Sequence, residues 1–278
     1  MGPVGEQDER GLRGAWRDFQ WHEHAAPGAA LAPYVARYAG AGWDLRGQPP
    51  YHQRMVPYPS VHLTFVNGVA RIVGVARAHI TRVLDGAGWM FGVTFRPGCF
   101  RPFLGAPVST ITGRVLPAAE VFPGLPEYEI AHVGDTAHRP AARDLWMTER
   151  RAIIEVYLRD RLPPPDPAAQ QAAALVACVA EDPAITRVDH LAARAGTGVR
   201  SLQRLFAEYV GAGPKWVIRR YRIDEATRHL AGGAPVDWAA LAAGLGYADQ
   251  SHFIRDFTAL VGETPTAYAR RYPSAPTS

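Results

Sequence analysis

Arg200, Gln203 and Arg204 lie within about one helical turn of each other, with Ala207 one turn further on. Gln250, Ser251, His252 and Arg255 form a second such cluster. An arginine guanidinium can grip guanine O6 and N7 together, and a glutamine amide can do the same for adenine N6 and N7. Serine and histidine hydrogen-bond base edges or phosphates. Lys215 and Arg219 lie between the clusters and suit phosphate. Either cluster alone is equally explained as a solvated helix face. Two of them invite a search for the elements that would present both in the same way.

Those elements form an internal repeat. Leu202, Arg204, Phe206, Gly211 and Pro214 recur as Phe253, Arg255, Phe257, Gly262 and Pro265. Leu191-Ala192 and Gly196 recur as Leu241-Ala242 and Gly246. A period of about 50 residues means two copies of one supersecondary unit. In the first copy Val188, Leu191, Ala192 and Ala195 predict a short amphipathic helix, and Gly196-Thr197-Gly198 a turn. Leu202, Leu205, Phe206, Tyr209 and Val210 predict a second helix, with Gly211 at its C-terminal cap. In the second copy Asp237 is expected to cap a helix carrying Trp238, Leu241, Ala242 and Leu245. Gly246-Tyr247 turns the chain, and Phe253, Phe257 and Leu260 stripe the next helix. Helix, glycine turn, helix is the helix-turn-helix, whose second helix enters the major groove. The polar clusters fall opposite the apolar stripes, on the face that would meet DNA.

The run LAARAGTGVRSLQRLFAEYVGAGP, then RIDEA, then LAAGLGYADQSHFIRDFTALVGETPTAY resembles the DNA-binding domain of AraC/XylS-type transcription regulators. The resemblance spans roughly residues 168 to 271. It implies an all-α domain of seven helices, with two helix-turn-helix units joined by a long helix at about Pro214 to Leu230. It places base-reading positions on Arg200, Gln203 and Arg204, and on Gln250, Ser251, His252 and Arg255. Gly198 stands where the family usually has a capping serine, so Thr197 or the glycine itself must serve. Ala248 replaces a small polar residue, which leaves Asp249 to cap the second recognition helix. The first half more weakly resembles the N-terminal domain that precedes this pair in many actinobacterial-type regulators. The cues are Val56-Pro57-Tyr58-Pro59, the segment Gly92 to Gly98, Phe103-Leu104-Gly105 and Leu116-Pro117. That likeness implies a sensory or dimerising role without naming a ligand.

Charge separates the two copies. Residues 185–228 hold nine basic residues against four acids, a net of +5; residues 229–272 hold three against four, a net of −1. Because phosphate attraction is electrostatic, the first unit is expected to supply more affinity and the second more register. The whole-chain net of +4 hides this contrast. Lys215 is the lone lysine; the arginine excess suits phosphate and guanine, and equally reflects GC-rich coding.

The chain has 278 residues, 47 % hydrophobic and 20 % charged, enough for about two folded domains. The clearest boundary is Leu162 to Pro167, whose prolines break helices. The expected division is residues 1–162, an α+β sensory or dimerisation domain; 163–167, a linker; 168–272, the DNA-binding domain; and 273–278, a tail. In the first half, Val61 to Val66, the hairpin signal Asn67-Gly68 and Val69 to Val75 predict paired strands. Trp89, Phe91, Val93 and Phe95 predict a third strand with one buried face. Arg139 to Leu162 predicts a closing helix.

Other chemistry in the first half is thinner. His22 and His24 would share one side of a strand, as in some metal sites, with no third ligand assignable. Cys99 reads as a buried cysteine rather than a redox sensor. Trp89, Phe91, Phe95 and Phe100 read as core rather than as a ligand pocket. Arg96 and Arg101 are candidates for a carboxylate. No GxxxxGK[ST], GxSxG or HExxH occurs, so no enzyme is expected and no cofactor is implied. The two cysteines exclude a disulfide scaffold. The longest apolar run, Ala172 to Ala180, is too short for a bilayer, and the N-terminus has no apolar signal region, so a cytoplasmic protein is expected. The expected partners are double-stranded promoter DNA, RNA polymerase and an unidentified small-molecule effector, with the chain a monomer or homodimer and activation favoured over repression. The alternatives are an enzyme or DNA-repair activity in residues 1–162, and a constitutive DNA binder whose first half only dimerises.

Overall fold

The computed structural model describes residues 19–133, 143–232 and 236–270. The tail at 273–278 and residues 139–142 of the expected closing helix lie outside them.

The first half is built on antiparallel sheet. Its strands are β1 (Gln20–Ala25), β2 (Val35–Asp44), β3 (Tyr51–Met55), β4 (His62–Val66), β5 (Val69–Val73), β6 (Ile80–Leu84), β7 (Ala87–Phe95) and β8 (Val115–Pro117). Six of them form one sheet in the order β1-β2-β7-β4-β5-β8, and β3 pairs with β6 as a second sheet. The Asn67-Gly68 turn joins β4 to β5 with φ of 47° and 85°, the positive pair a type I′ hairpin needs. The strand predicted from Trp89 to Phe95 is β7, but it is not one-sided. Phe91, Val93 and Phe95 enter the main core, while Gly92 and Thr94 on the other face are buried as well. The two-stranded sheet covers that second face, which alternation within β7 could not reveal.

The main core lies between the large sheet and its helices. Short helices α1 (Arg101–Leu104) and α2 (Glu127–His132) precede the long α3 (Arg143–Arg159). Trp146 of α3 meets Trp21, Trp89 and Phe91 edge-on, with ring centroids 5.3, 5.7 and 6.2 Å apart. Trp146 and Met147 seat against Gly40, where an added Cβ would lie 2.3 Å from the Met147 sulfur. The glycine in mid-strand is thus a landing place for α3, not a defect. Phe95, Phe100, Phe103 and Phe122 make the other end of the core. The aromatic residues read as core pack as core.

The second half is helical: α4 (Pro167–Glu181), α5 (Val188–Arg194), α6 (Val199–Tyr209), α7 (Pro214–Ala231), α8 (Trp238–Gly244), α9 (Gln250–Val261) and α10 (Pro265–Ala269). Asp166 caps α4 by accepting from the Ala168 and Ala169 amides at 2.9 and 3.2 Å, with Pro167 in the first turn. Among the described residues no helix is long and apolar enough to cross a membrane.

Packing does not stop at the Pro163–Pro167 segment. One apolar cluster runs from Trp21 and Phe91 through Trp146 to Leu175, Leu191, Leu202, Phe206 and Ile218. A separate cluster joins Ile223, Ala226 and Leu230 of α7 to Ala242, Phe253, Phe257 and Tyr268. The first helix-turn-helix unit shares its core with the first half; the second has its own.

Candidate nucleic-acid interface

The first unit is α5, the turn at Gly196 (φ 61°) and α6. Leu202 and Phe206 face inward with no exposed surface, which turns Arg200, Gln203, Arg204 and Ala207 to solvent. All four are exposed, as the apolar stripe requires. Gly198 occupies the N-cap with extended dihedrals and no side-chain bond; Thr197 does not substitute. At the other end Gly211 (φ 81°) donates its amide to Phe206 O, the expected glycine cap.

The second unit is α8, the turn at Gly246 (φ 80°) and α9. Both expected caps form. Asp237 accepts from the Ala239 and Ala240 amides, each at 3.0 Å, and Asp249 from the His252 amide at 2.7 Å. Phe253 and Phe257 are fully buried, while Gln250, Ser251 and Arg255 are exposed and His252 is half-buried.

The long α7 joins the units and contributes Lys215, exposed, and Arg219, half-buried. Lys215, Arg219 and His252 meet in one cleft of about 330 Å³ between the units, beside Arg187 and Tyr247. Arg219 is ion-paired with Asp256, and the His252 ring nitrogen lies 3.5 Å from the same carboxylate. Asp256 therefore sets the posture of two of the sequence-selected residues. It had a legible signal: it is an acid on the buried stripe of Phe253, Phe257 and Leu260.

Not every basic residue of the first copy and the linker helix faces outward. Arg220 and Arg222 are buried at 1 % and 3 % exposure. Arg222 donates to Val179 O at 2.7 Å and to Glu225 at 2.9 Å. Arg220 donates to Pro57 O and to Asp224. Arg187 is held by Asp189, whose carboxyl its guanidinium pulls down to about 2. These arginines are structural, and Asp189, Asp224 and Glu225, already counted in the +5, cancel them, so that net rests on the other basic residues of the segment. Arg200, Arg204 and Lys215 are the exposed cations left on the first unit's reading side.

Candidates in the first half separate from this face. His22 and His24 both lie on β1, and among the described residues no group of three His, Cys, Asp or Glu is placed to hold a metal. Cys99 is buried, and burial raises its thiol to about 11 despite Arg96 nearby, which keeps it protonated and unreactive. Arg96 donates to Ala32 O at 2.6 Å. Arg101 does bind a carboxylate, but the chain's own: Glu208 at 2.9 Å, on the first recognition helix.

Comparisons with known proteins match the two halves of the chain separately. A family model described as a domain of unknown function (DUF6597) matches residues 23–117. Another, described as a helix-turn-helix domain, matches residues 191–271. No curated protein matches the sequence. Among solved structures, the chain is similar to ToxT from Vibrio cholerae O395 at 9 % identity and a TM-score of 0.40, over 93 % of this chain and 100 % of that one. It is also similar to unsaturated fatty acid-bound wild-type ToxT from Vibrio cholerae strain SCE256, at 10 % identity and a TM-score of 0.38, over 83 % and 94 %. The helix-turn-helix match runs from within α5 to beyond α10, over nearly all of both units and the helix between them, and makes this part of the chain a helix-turn-helix domain like that of AraC/XylS-type DNA-binding regulators.

Proposed function

We propose that this regulator binds promoter DNA sequence-specifically, with α6 and α9 in successive major-groove segments. The observation that carries the reading is the exposure of matched polar faces on two repeated helices joined by one linker helix. Arg200, Gln203 and Arg204 read bases from the first unit; Gln250, Ser251, His252 and Arg255 do so from the second. Lys215 and Arg219 approach phosphates in the cleft between them. The first half, residues 1–162, biases occupancy in response to a small-molecule effector, and the outcome is activation through contact with RNA polymerase. The protein acts in the cytoplasm, without catalysis, as a monomer or homodimer.

Genome-wide occupancy mapping of the full chain, followed by binding to a recovered site, tests this. Arg204→Ala should relax discrimination at one base pair by about 1–3 kcal/mol. Uniform loss across all sequences makes Arg204 a phosphate contact instead. No enriched promoter sites at all would overturn the reading.

A further inference from the structure

Two apolar cores meet along α7. Val217 and Ile218 belong to the core shared with the first half; Ile223, Ala226 and Leu230 belong to the second unit's own. Arg219 stands at the handover between them. Its partner, Asp256, lies on the buried side of α9 with Phe253 and Phe257 and is 5 % exposed. Among the described residues no other ion pair joins α7 to α9. Beyond that pair, Ile223, Ala226 and Leu230 of α7 share an apolar cluster with Phe253 and Phe257 of α9. Apolar contact is non-directional, so on its own it lets one helix slide or turn on the other. A buried ion pair adds little net stability, because desolvation offsets the attraction; its best-attested use is to fix register.

The pair also lies beside the residues assigned to DNA. His252, one turn before Asp256, places its ring nitrogen 3.5 Å from the same carboxylate. Tyr247, in the turn before α9, meets the His252 ring edge-on with centroids 5.2 Å apart. Arg219, Tyr247 and His252 all line the cleft between the units. Arg255, next to Asp256 in the chain, faces out. The far end of α9 is held separately, by the His79 amide donating to Ala259 O at 3.2 Å. The reading half of α9, with Gln250, Ser251, His252 and Arg255, thus has Asp256 as its charged tie to the linker helix.

We propose that Asp256 is a positioning residue that sets the spacing this protein accepts between the DNA stretches read by α6 and α9. Through Arg219 it fixes the second recognition helix on the linker helix, and so on the first unit, whose core α7 enters at Val217 and Ile218. One base pair inserted between the two stretches moves the second by about 3.4 Å and turns it by about 34°. Two units locked together cannot follow that displacement without giving up contacts; two units joined by apolar packing alone follow part of it. The inference rests on the reading that α6 and α9 occupy successive major-groove segments, and it names what holds them in step.

The test is binding of the full chain to a recovered site, and to versions with one base pair inserted or removed between the two stretches. Each variant is scored against its own best spacing. A less stable second unit weakens binding at every spacing alike, and this scoring cancels that loss. The wild type should lose about tenfold per displaced base pair, the scale of one mismatched pair, and Asp256→Asn, which keeps the shape and removes the charge, only about two- to threefold. Arg219→Gln should relax the spacing as far, Arg219→Lys less, and the double variant Asp256→Asn/Arg219→Gln no further than either single change. An undiminished penalty in Asp256→Asn and Arg219→Gln overturns the proposal, even where both bind more weakly overall. If Asp256→Asn binds no site, Arg219→Lys, which keeps a cation beside the carboxylate, decides by the same profile: an undiminished penalty there overturns the proposal. A wild type indifferent to spacing overturns the two-groove reading itself, and the proposal with it; a wild type that discriminates leaves that reading standing whatever the variants do.

Discussion

The two helix-turn-helix units are repeats in sequence and different objects in packing. The first buries Leu202 and Phe206 in a core that continues to Trp146 and the sheet. The second buries Phe253 and Phe257 in a cluster of its own and meets the first half through His79, Val56 and the α7 contacts. The recognition helices differ at their ends too: α6 starts at an unassisted glycine, while α9 is capped by Asp249. A unit sharing a large core holds a fixed position whatever its cap; a unit with a small core depends on local features for its order. Duplication of a motif therefore does not duplicate its mechanics.

The sharpest way to break this contrast is to empty each core. Phe206→Ala and Phe257→Ala each remove a fully buried ring and should cost about 3–5 kcal/mol. Phe206→Ala is expected to lower one cooperative transition that includes the sheet; Phe257→Ala is expected to release the second unit first, as an early separate step. Calorimetry checks this, and a single transition in both variants would erase the distinction. Acid probes the same division. His62 is held neutral in the folded chain, at about 4 against 6.5 for a free imidazole. The unfolded chain takes up that proton first, so the stability of the sheet-containing body should fall as pH drops from about 6.5 to 4 and level off below. His62→Gln should flatten that slope without touching the second unit, as denaturant unfolding at several pH values would show.

On DNA, Arg204→Ala is expected to cost about 1–3 kcal/mol and more than Arg255→Ala, because the first unit carries more exposed cations. Titrations at two salt concentrations measure both; the reverse order would give the second unit the larger share of affinity. At the caps, Asp249→Ala should cost about 1 kcal/mol, and Gly198→Ser should gain a few tenths. Helical protection of α9 and α6 in exchange experiments reads each separately.

The helical half was legible because its signals are local. Apolar spacing, Asp237, Asp249 and the turn glycines are each read within a few residues, and the recognition faces follow from them. The hairpin at Asn67-Gly68 was legible for the same reason. Strand β1 was read only around His22 and His24, and β2 was not read at all: Ala39-Gly40-Ala41-Gly42 lacks the bulk that marks a strand, since Trp146 and Met147 of α3 fill the space at Gly40 from more than a hundred positions away and Trp21 that at Gly42. Strands β3 and β6 were hidden by their polar content, with Gln53 and Arg82 facing a partner sheet rather than water. A count of arginines, by contrast, does not separate Arg220 and Arg222, which hold helices together, from Arg204, which faces out.

Gly98 carries a consequence for how such regulators can change over generations. With φ at 86°, it lies so close to α4 that an added Cβ would come within 2.8 Å of the Ala173 amide nitrogen. A residue of the first half is thus cut to the backbone shape of the second. The proline segment looks like a seam where halves could be exchanged between proteins, yet a graft there must also match the Gly98 contact, the Arg101–Glu208 pair and the shared core. Recombination is cheaper further on, past Arg222, where the second unit's separate cluster begins. New binding specificities are expected to arise there sooner than at the visible seam.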